Sequence, residues 1–297
     1  MQKQSEKDIS KRMDVSVSKI DRVISDISCK TVLRHQTLPI NMNWDEFKAT
    51  KDTAGKMAFL IVDNNTGTIF DILNTRKSNE LEKFFKRYQK KDRDKVKLIC
   101  TDFYPGYINT ANKIFKNADI VIDRFHIVTQ VYTALNSYRI GLCYKKNPNY
   151  NKLKHYWKLI LKNKNDLTEE KRYSNYFKKD ISQKEIVTYL INTDKDFKTN
   201  YEVYQGIINS LKNKEYDKFK AIIYNSNKGL SNKMIKAMSL FKKNIIYIEN
   251  SFKYDINNGV IEGVNNFIKQ TKRTAYGYRK FSHFITRIFL IKGIIKG

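Results

Sequence analysis

Three cysteines, three prolines and eleven glycines in 297 residues are too few for several whole classes of protein. Without a Gly-X-Y period or proline-rich tracts, collagen-like and wholly disordered chains are excluded. Cys29, Cys100 and Cys143 are odd in number and far apart, with no C-x-x-C pair, so no disulfide framework can be read and no zinc is predicted. No apolar run approaches the roughly 18 residues that span a bilayer. Met57 to Val62 is short, and Phe284 to Ile295 is interrupted by Arg287 and Lys292. The start, MQKQSEKDIS, lacks the apolar core of a signal peptide. A soluble chain in a reducing cytoplasm is expected, with no membrane partner. The sequence also lacks a phosphate-cradling glycine loop and a nucleophile motif, which leaves a small-molecule enzyme without support.

Acidic residues are scarce as well. Thirty Asp and Glu face 57 Lys and Arg, a formal charge of +27, while 41% apolar residues suffice for the core of one or two domains. Such a field attracts polyanions, of which nucleic acid is the commonest, with membrane surfaces as the rival. Only 12 of the 57 basic residues are Arg, and Lys, Asn, Ile and Tyr abound. AT-rich codon usage imposes that bias, so the distribution of charge says more than its total. From Lys269 to Gly297 there are eight basic residues and no acid, interleaved with Tyr276, Tyr278, Phe281 and Phe284. Cations there can neutralise phosphates while rings stack on bases; the same rings can equally be core.

Along the chain, residues 5–28 read as two short helices, with Ser5 and Ser16 as caps and Val17, Ile20, Ile24 and Ile27 on one face of the second. This is the pattern of a partial helix-turn-helix presenting Ser18, Arg22 and Ser25 to a DNA groove, or of an amphipathic hairpin packed on the rest. From Asn43 the period changes. NWDEF, KMAFLIVDN and TGTIFDIL read as a three-stranded meander, followed by helix SNELEKFFKRY, strand VKLICTD, helix YINTANKIF, strand ADIVID and a long helix from FHIV. That order implies an α/β fold, a mixed sheet flanked by helices. Between about Lys145 and Lys243 strand signals fade and the segment reads as an all-helical insertion. The predicted organisation is a partial helix-turn-helix over 1–30, the first part of a core over 31–144, the insertion over 145–243, and the remainder of the core with a basic tail over 244–297.

In an open sheet, chemistry concentrates at strand ends. Asp45 lies within the first strand, where a buried carboxylate is costly unless a cation or donors compensate it, and Asp102 closes VKLICTD. Asp63 and Asp71 compete with Asp45 but fall at hairpin positions suited to turn-forming or solvated Asp. Glu262 sits on a candidate helix with Val260, Val264, Phe267 and Ile268 as its apolar stripe. Asn265, Asn266, Lys269 and Arg273 share the polar face with Glu262. Each acid taken alone can also be a solvated carboxylate or a cap.

In order and spacing, NWDEF, TDFYPGY, VIDRFHIV and NNGVIEGVNNFIKQTKRTAYGYRKFSHFITRI resemble the bacterial insertion-sequence DDE transposases, in the branch with a DRFH element after the second Asp. The resemblance covers nearly all of the chain from about residue 31. It implies an RNase H-like domain with Asp45, Asp102 and Glu262 as catalytic, metal-binding triad, the 160 positions between Asp102 and Glu262 holding the helical insertion. It further implies that Asp123 and His126 support the site. Three carboxylates suit two Mg²⁺ (or Mn²⁺) ions, since Mg²⁺ prefers oxygen ligands and a metal pair can flank an in-line phosphodiester displacement. Implied partners are double-stranded DNA, as transposon terminal inverted repeats and target, and further copies of the chain on DNA, in a bacterial cytoplasm at the nucleoid. Arg22, Lys269, Lys272, Arg273 and Arg279 are the DNA-contact candidates.

Members of that branch usually begin with a Cys-rich zinc-ribbon segment and a fuller helix-turn-helix, neither complete here. The expectation is therefore a truncated or degenerate copy with weakened end recognition. Two alternatives stay open: a transposase-derived DNA-binding protein without catalysis, and another RNase H-like nuclease using the same carboxylates on a different substrate.

Overall fold

The computed structural model describes residues 5–30, 35–225, 228–256 and 259–295. Ser5 and Asp8 form a reciprocal capping box that starts α1 (Glu6–Met13), and Asp14, in the left-handed conformation, turns the chain. The Ser16 hydroxyl accepts the Lys19 N–H at the start of α2 (Val17–Lys30). Of its apolar stripe Ile20 is buried, Ile24 and Ile27 are half-buried, and Val17 at its first turn stays exposed. Three strands follow: β1 (Asn41–Lys48), β2 (Met57–Asp63) and β3 (Ile69–Leu73). The chain continues through α3 (Ser78–Lys86), the single turn α4 (Lys90–Arg93), β4 (Leu98–Thr101), α5 (Pro105–Ile114, proline in its first turn) and β5 (Asp119–Ile122). Sheet order is β3-β2-β1-β4-β5, with β1 antiparallel to β2 and parallel to β4. The sheet is thus mixed, as the alternation of meander and helix predicts.

Two compact units divide the chain, Met1–Val121 with Ile256–Gly297, and Ile122–Asp255. The second holds α6 (Arg124–Leu142), the short α7 (Tyr150–His155) and α8 (Trp157–Ile160), a hairpin of β6 (Arg172–Ser174) and β7 (Lys179–Ile181), then α9 (Gln183–Ile191), α10 (Lys195–Lys212), α11 (Tyr216–Asn225), α12 (Asn232–Lys243) and α13 (Ile245–Lys253). Within it α6 packs against α10 and α12. The buried Arg139 donates to Asn136 Oδ1 (2.9 Å) and to the Leu153 carbonyl (3.0 Å), which binds α6 to α7. The segment expected to be all helical therefore carries one small antiparallel hairpin. Strands of three residues are too short for alternation to show. Lys178, at φ 55, makes the turn, and a 2.6 Å bond between Tyr156 Oη and Ser174 Oγ holds it down.

The chain then returns to the first unit with α14 (Gly259–Thr274) and α15 (Phe281–Ile291). Helices cover both sheet faces. On one, Trp44 stacks on Phe85 (centroids 5.0 Å apart) and meets Phe59 and Phe115 edge-on. On the other, Ile261, Val264 and Ile268 of α14 and Phe284 and Ile288 of α15 pack on Phe47, Leu60 and Val62. The buried stripe of α14 thus includes Ile261, while Val260 and Phe267 are only partly covered. Gly67, at φ 71 in the β2–β3 turn, would bring a Cβ within 3.3 Å of Val260, so its turn needs both the left-handed backbone and the missing side chain. Among the described residues no helix is long and apolar enough to cross a membrane.

Candidate active site

Asp45 stands in the middle of β1, opposite Leu60 of β2. Side chains alternate along a strand, so Asn43, Asp45 and Phe47 point to the α14 face and Trp44 and Glu46 to the other. Asp45 Oδ1 accepts the Glu46 N–H (2.7 Å), and Oδ2 accepts Asn265 Nδ2 (2.6 Å) from α14. The β1–β4 pairing runs Asn41–Leu98, Met42–Ile99, Asn43–Cys100. Extending that register by two residues brings Asp45 level with Asp102, on the same face and just beyond the C-terminal end of β4. Asp102 Oδ1 accepts the Tyr104 N–H (2.8 Å), which closes the turn into α5.

Glu262 is exposed, on the first turn of α14 and one turn before Asn265. Asn257 and Asn258 of the motif that carries Glu262 lie outside the described residues. Among the described residues no group of three or more His, Cys, Asp or Glu side chains is close enough to hold a metal, so the three carboxylates do not form a closed cage. The donor chemistry on this face nevertheless fits a hard cation. Besides the carboxylates, Asn265 Oδ1 and Asn43 Oδ1 are buried without a hydrogen-bond partner. The Asp45 carboxylate requires the NH₂ of Asn265 to face it, which leaves the orphan Oδ1 turned elsewhere. Such oxygens suit Mg²⁺ far better than zinc or copper.

The opposite face of β1 holds an arrangement that sequence reasoning missed. Arg76 Nη1 donates to both oxygens of Glu46 at 2.7 Å, Tyr107 Oη donates to Glu46 Oε2 at 2.8 Å, and the Arg76 guanidinium lies 4.5 Å above the Tyr104 ring. Burial first, and then the Glu46 charge, push the Tyr107 phenol far above its usual range, so it remains a donor. This cluster ties the turn after Asp102 to the strand of Asp45. Tyr104 and Tyr107 belong to the TDFYPGY motif, and strand alternation alone would have separated Glu46 from Asp45.

The rival acids have local roles. Asp63 Oδ1 accepts the Asn65 N–H in a turn, as expected. Asp71 lies inside β3 rather than in a turn, and burial raises its carboxyl above the usual range. Asp123 and His126 belong to the second unit. Asp123 caps α6 by accepting the Phe125 N–H (3.0 Å), and His126 Nε2 is 3.7 Å from its Oδ2.

Of the DNA-contact candidates, Arg22, Lys269, Arg273 and Arg279 are exposed. Lys272 is tethered, donating to the carbonyls of Lys48 and Ala49 (both 2.9 Å), and partial burial lowers its ammonium below the usual range. Ser25 does not face outward: its hydroxyl is 2.8 Å from Nε2 of the buried His283, so it seats α2 on α15. Ser18, two turns earlier, is exposed.

A family model described as a transposase of the DDE type, ISL3 group, matches residues 43–288. A curated protein of Lactococcus lactis subsp. lactis named ATP-dependent protease is 27% identical over 209 residues, 67% of this chain. The chain spans 63% of that relative's length. Because the family match extends from β1 across Asp45, Asp102 and α14 into α15, the chain belongs to the ISL3-type DDE transposase family.

Proposed function

We propose that this chain is a DNA transposase that hydrolyses phosphodiester bonds at transposon terminal inverted repeats and transfers the cut strand, with Asp45, Asp102 and Glu262 as its acidic residues. The observation that carries this reading is the parallel register of β1 on β4, which extended by two residues sets Asp45 level with Asp102, with α14, the helix that bears Glu262, packed on the same face of β1. When bound, a pair of Mg²⁺ or Mn²⁺ ions supplies activation of the attacking oxygen and stabilisation of the departing one; the three carboxylates would hold them. Asn265 fixes one Asp45 oxygen so that the carboxylate keeps its orientation. Lys269, Arg273 and Arg279 project from α14 and the turn after it, where they can neutralise successive phosphates of a duplex. The α1–α2 pair offers Ser18 and Arg22 to the same double-stranded DNA, and Asp123 and His126 support the reaction from the start of α6. Paired ends call for a homo-oligomer on DNA.

The name of the Lactococcus lactis relative does not transfer well. The chain has no G-x-x-x-x-G-K-[ST] loop for ATP. A transposase-derived binding protein is separated from an enzyme by one substitution. Glu262→Gln should abolish cutting of end-labelled inverted-repeat DNA in Mg²⁺ while leaving its retention in a mobility assay unchanged. Cutting at the normal rate by this variant would remove Glu262 from the triad.

A further inference from the structure

The turn between α14 and α15, Ala275 to Lys280, holds a side chain that the fold does not use. Tyr278 stacks on the buried Phe284 at 4.8 Å, and Phe281 packs against the same core. Tyr276 is 95% exposed, the most exposed large hydrophobic residue among those described. It also sits at φ 53, a conformation that costs a non-glycine residue about 1 kcal/mol or more, and is followed by Gly277 at φ 98. A glycine or asparagine would occupy this position with less strain and would not expose a ring to water. An uncompensated aromatic at a strained position, rather than a packed one, marks a contact surface.

Its surroundings select the partner. Glu262 is the last acid of the chain, and Lys269, Arg273 and Arg279 flank the ring in sequence. Among the described residues the side chains of these three make no hydrogen bond or ion pair, whereas Lys280 is paired with Asp21 at 3.0 Å. The turn borders an open cleft of about 840 Å³ whose lining includes Ser18 of α2 and charges of both signs, Glu6 and Asp8 beside Lys7 and Arg287. Phosphates can lie against Arg273 and Arg279 while the ring meets a base.

We propose that Tyr276 is a base-contacting residue of the DNA interface, its ring stacking on a nucleobase that is tilted out of, or unstacked within, the bound duplex. This deepens the transposase reading and rests on it. From Glu262 to the end of α14 is twelve residues, a rise of roughly 18 Å, so ring and catalytic acid are about 20 Å apart along the helix. At 3.4 Å per step, DNA running along α14 would meet the ring roughly six base pairs from the scissile phosphate.

The test uses the full chain and a duplex that the protein itself enriches from a random-sequence pool, with 2-aminopurine placed at successive positions. Binding of wild type should change the fluorescence at one position, and Tyr276→Ala should abolish that change and weaken binding about tenfold. Tyr276→Phe should retain both. The salt dependence of binding should keep its slope in Tyr276→Ala and lose about one charge in Arg273→Ala, which separates stacking from charge neutralisation. Thermal melting of Tyr276→Ala, no lower than wild type, would exclude a folding defect, and Tyr276→Gly, which suits the positive φ, should show the same loss of affinity and signal. Wild-type affinity and an unaltered fluorescence profile in Tyr276→Ala would overturn the proposal, as would loss of self-association with DNA binding intact, which would assign the ring to another copy of the chain. If wild type cuts no DNA in Mg²⁺ or Mn²⁺ while Tyr276→Ala still loses affinity and signal, the catalytic reading fails and the base contact stands.

Discussion

Asp45 and Glu46 are successive acids of one strand, yet they belong to two different regions of the protein. Glu46 points into the face covered by α3 and α5, where one arginine nitrogen, shared between both of its oxygens, and a buried phenol satisfy it. Asp45 points toward α14, where a neutral amide takes one oxygen and a backbone N–H the other, and two further amide oxygens nearby are buried without partners. A carboxylate saturated by a fixed cation and a neutral phenol serves the fold. A carboxylate whose neighbours contribute unsatisfied oxygens is arranged for an incoming cation, and it is the company of each acid, rather than its place in the sequence, that separates the two cases.

The strongest way to break that contrast is to neutralise each acid in turn. Asp45→Asn should lower DNA strand cleavage by at least about 10³-fold with the midpoint of denaturant unfolding nearly unchanged. Glu46→Gln should do the reverse, leaving cleavage within a few-fold and lowering stability by about 2 kcal/mol, because Arg76 loses its charged partner. Paired cleavage and urea-unfolding measurements decide it. If Glu46→Gln is as inactive as Asp45→Asn while folding normally, the two faces are not functionally distinct. A smaller effect is expected from Tyr107→Phe, which removes one donor to Glu46 and should cost about 1.5 kcal/mol with cleavage retained.

The same contrast separates what neighbouring residues encode from what only distant ones supply. Apolar periodicity, capping serines and acids within or at the ends of strands are local signals, and they locate α1, α2, β1, β2, β4, α3, α5 and the positions of Asp45 and Asp102. The partners of those acids are not local. Arg76 reaches Glu46 across 30 residues, Asn265 reaches Asp45 across 220, and Ser25 meets His283 across 258. No period carries that information, so Ser25 reads as a groove-facing residue although it is an anchor, and Lys272 as a phosphate contact although its ammonium is held by two carbonyls. The aromatic tail divides for the same reason. Tyr278, Phe281 and Phe284 are committed to the core, a role that charge and composition left undecided, and Tyr276 is not.

A third acid of the sheet sharpens the comparison at its weakest end. Through the pairs Trp44–Ile61 and Ile61–Asp71, Asp71 in β3 lies on the Glu46 face. Its Oδ1 accepts the Ile72 N–H (2.7 Å), but burial outweighs that bond and raises the carboxyl above its ordinary range. The sign follows from which form the native state prefers. A raised native pKa means that the folded protein favours the protonated carboxyl, so its contribution is fully present below the ordinary carboxylate range and is lost as pH climbs through the raised value. Asp71→Asn, which keeps the shape and removes the charge, should therefore stabilise the protein slightly at neutral pH, and the gain should vanish in acid. Urea midpoints of both proteins from acid to neutral pH measure this directly. A gain that persists unchanged at low pH would mean that the asparagine packs better, and that desolvation of the charge is not what distinguishes Asp71 from its well-paired neighbour Glu46.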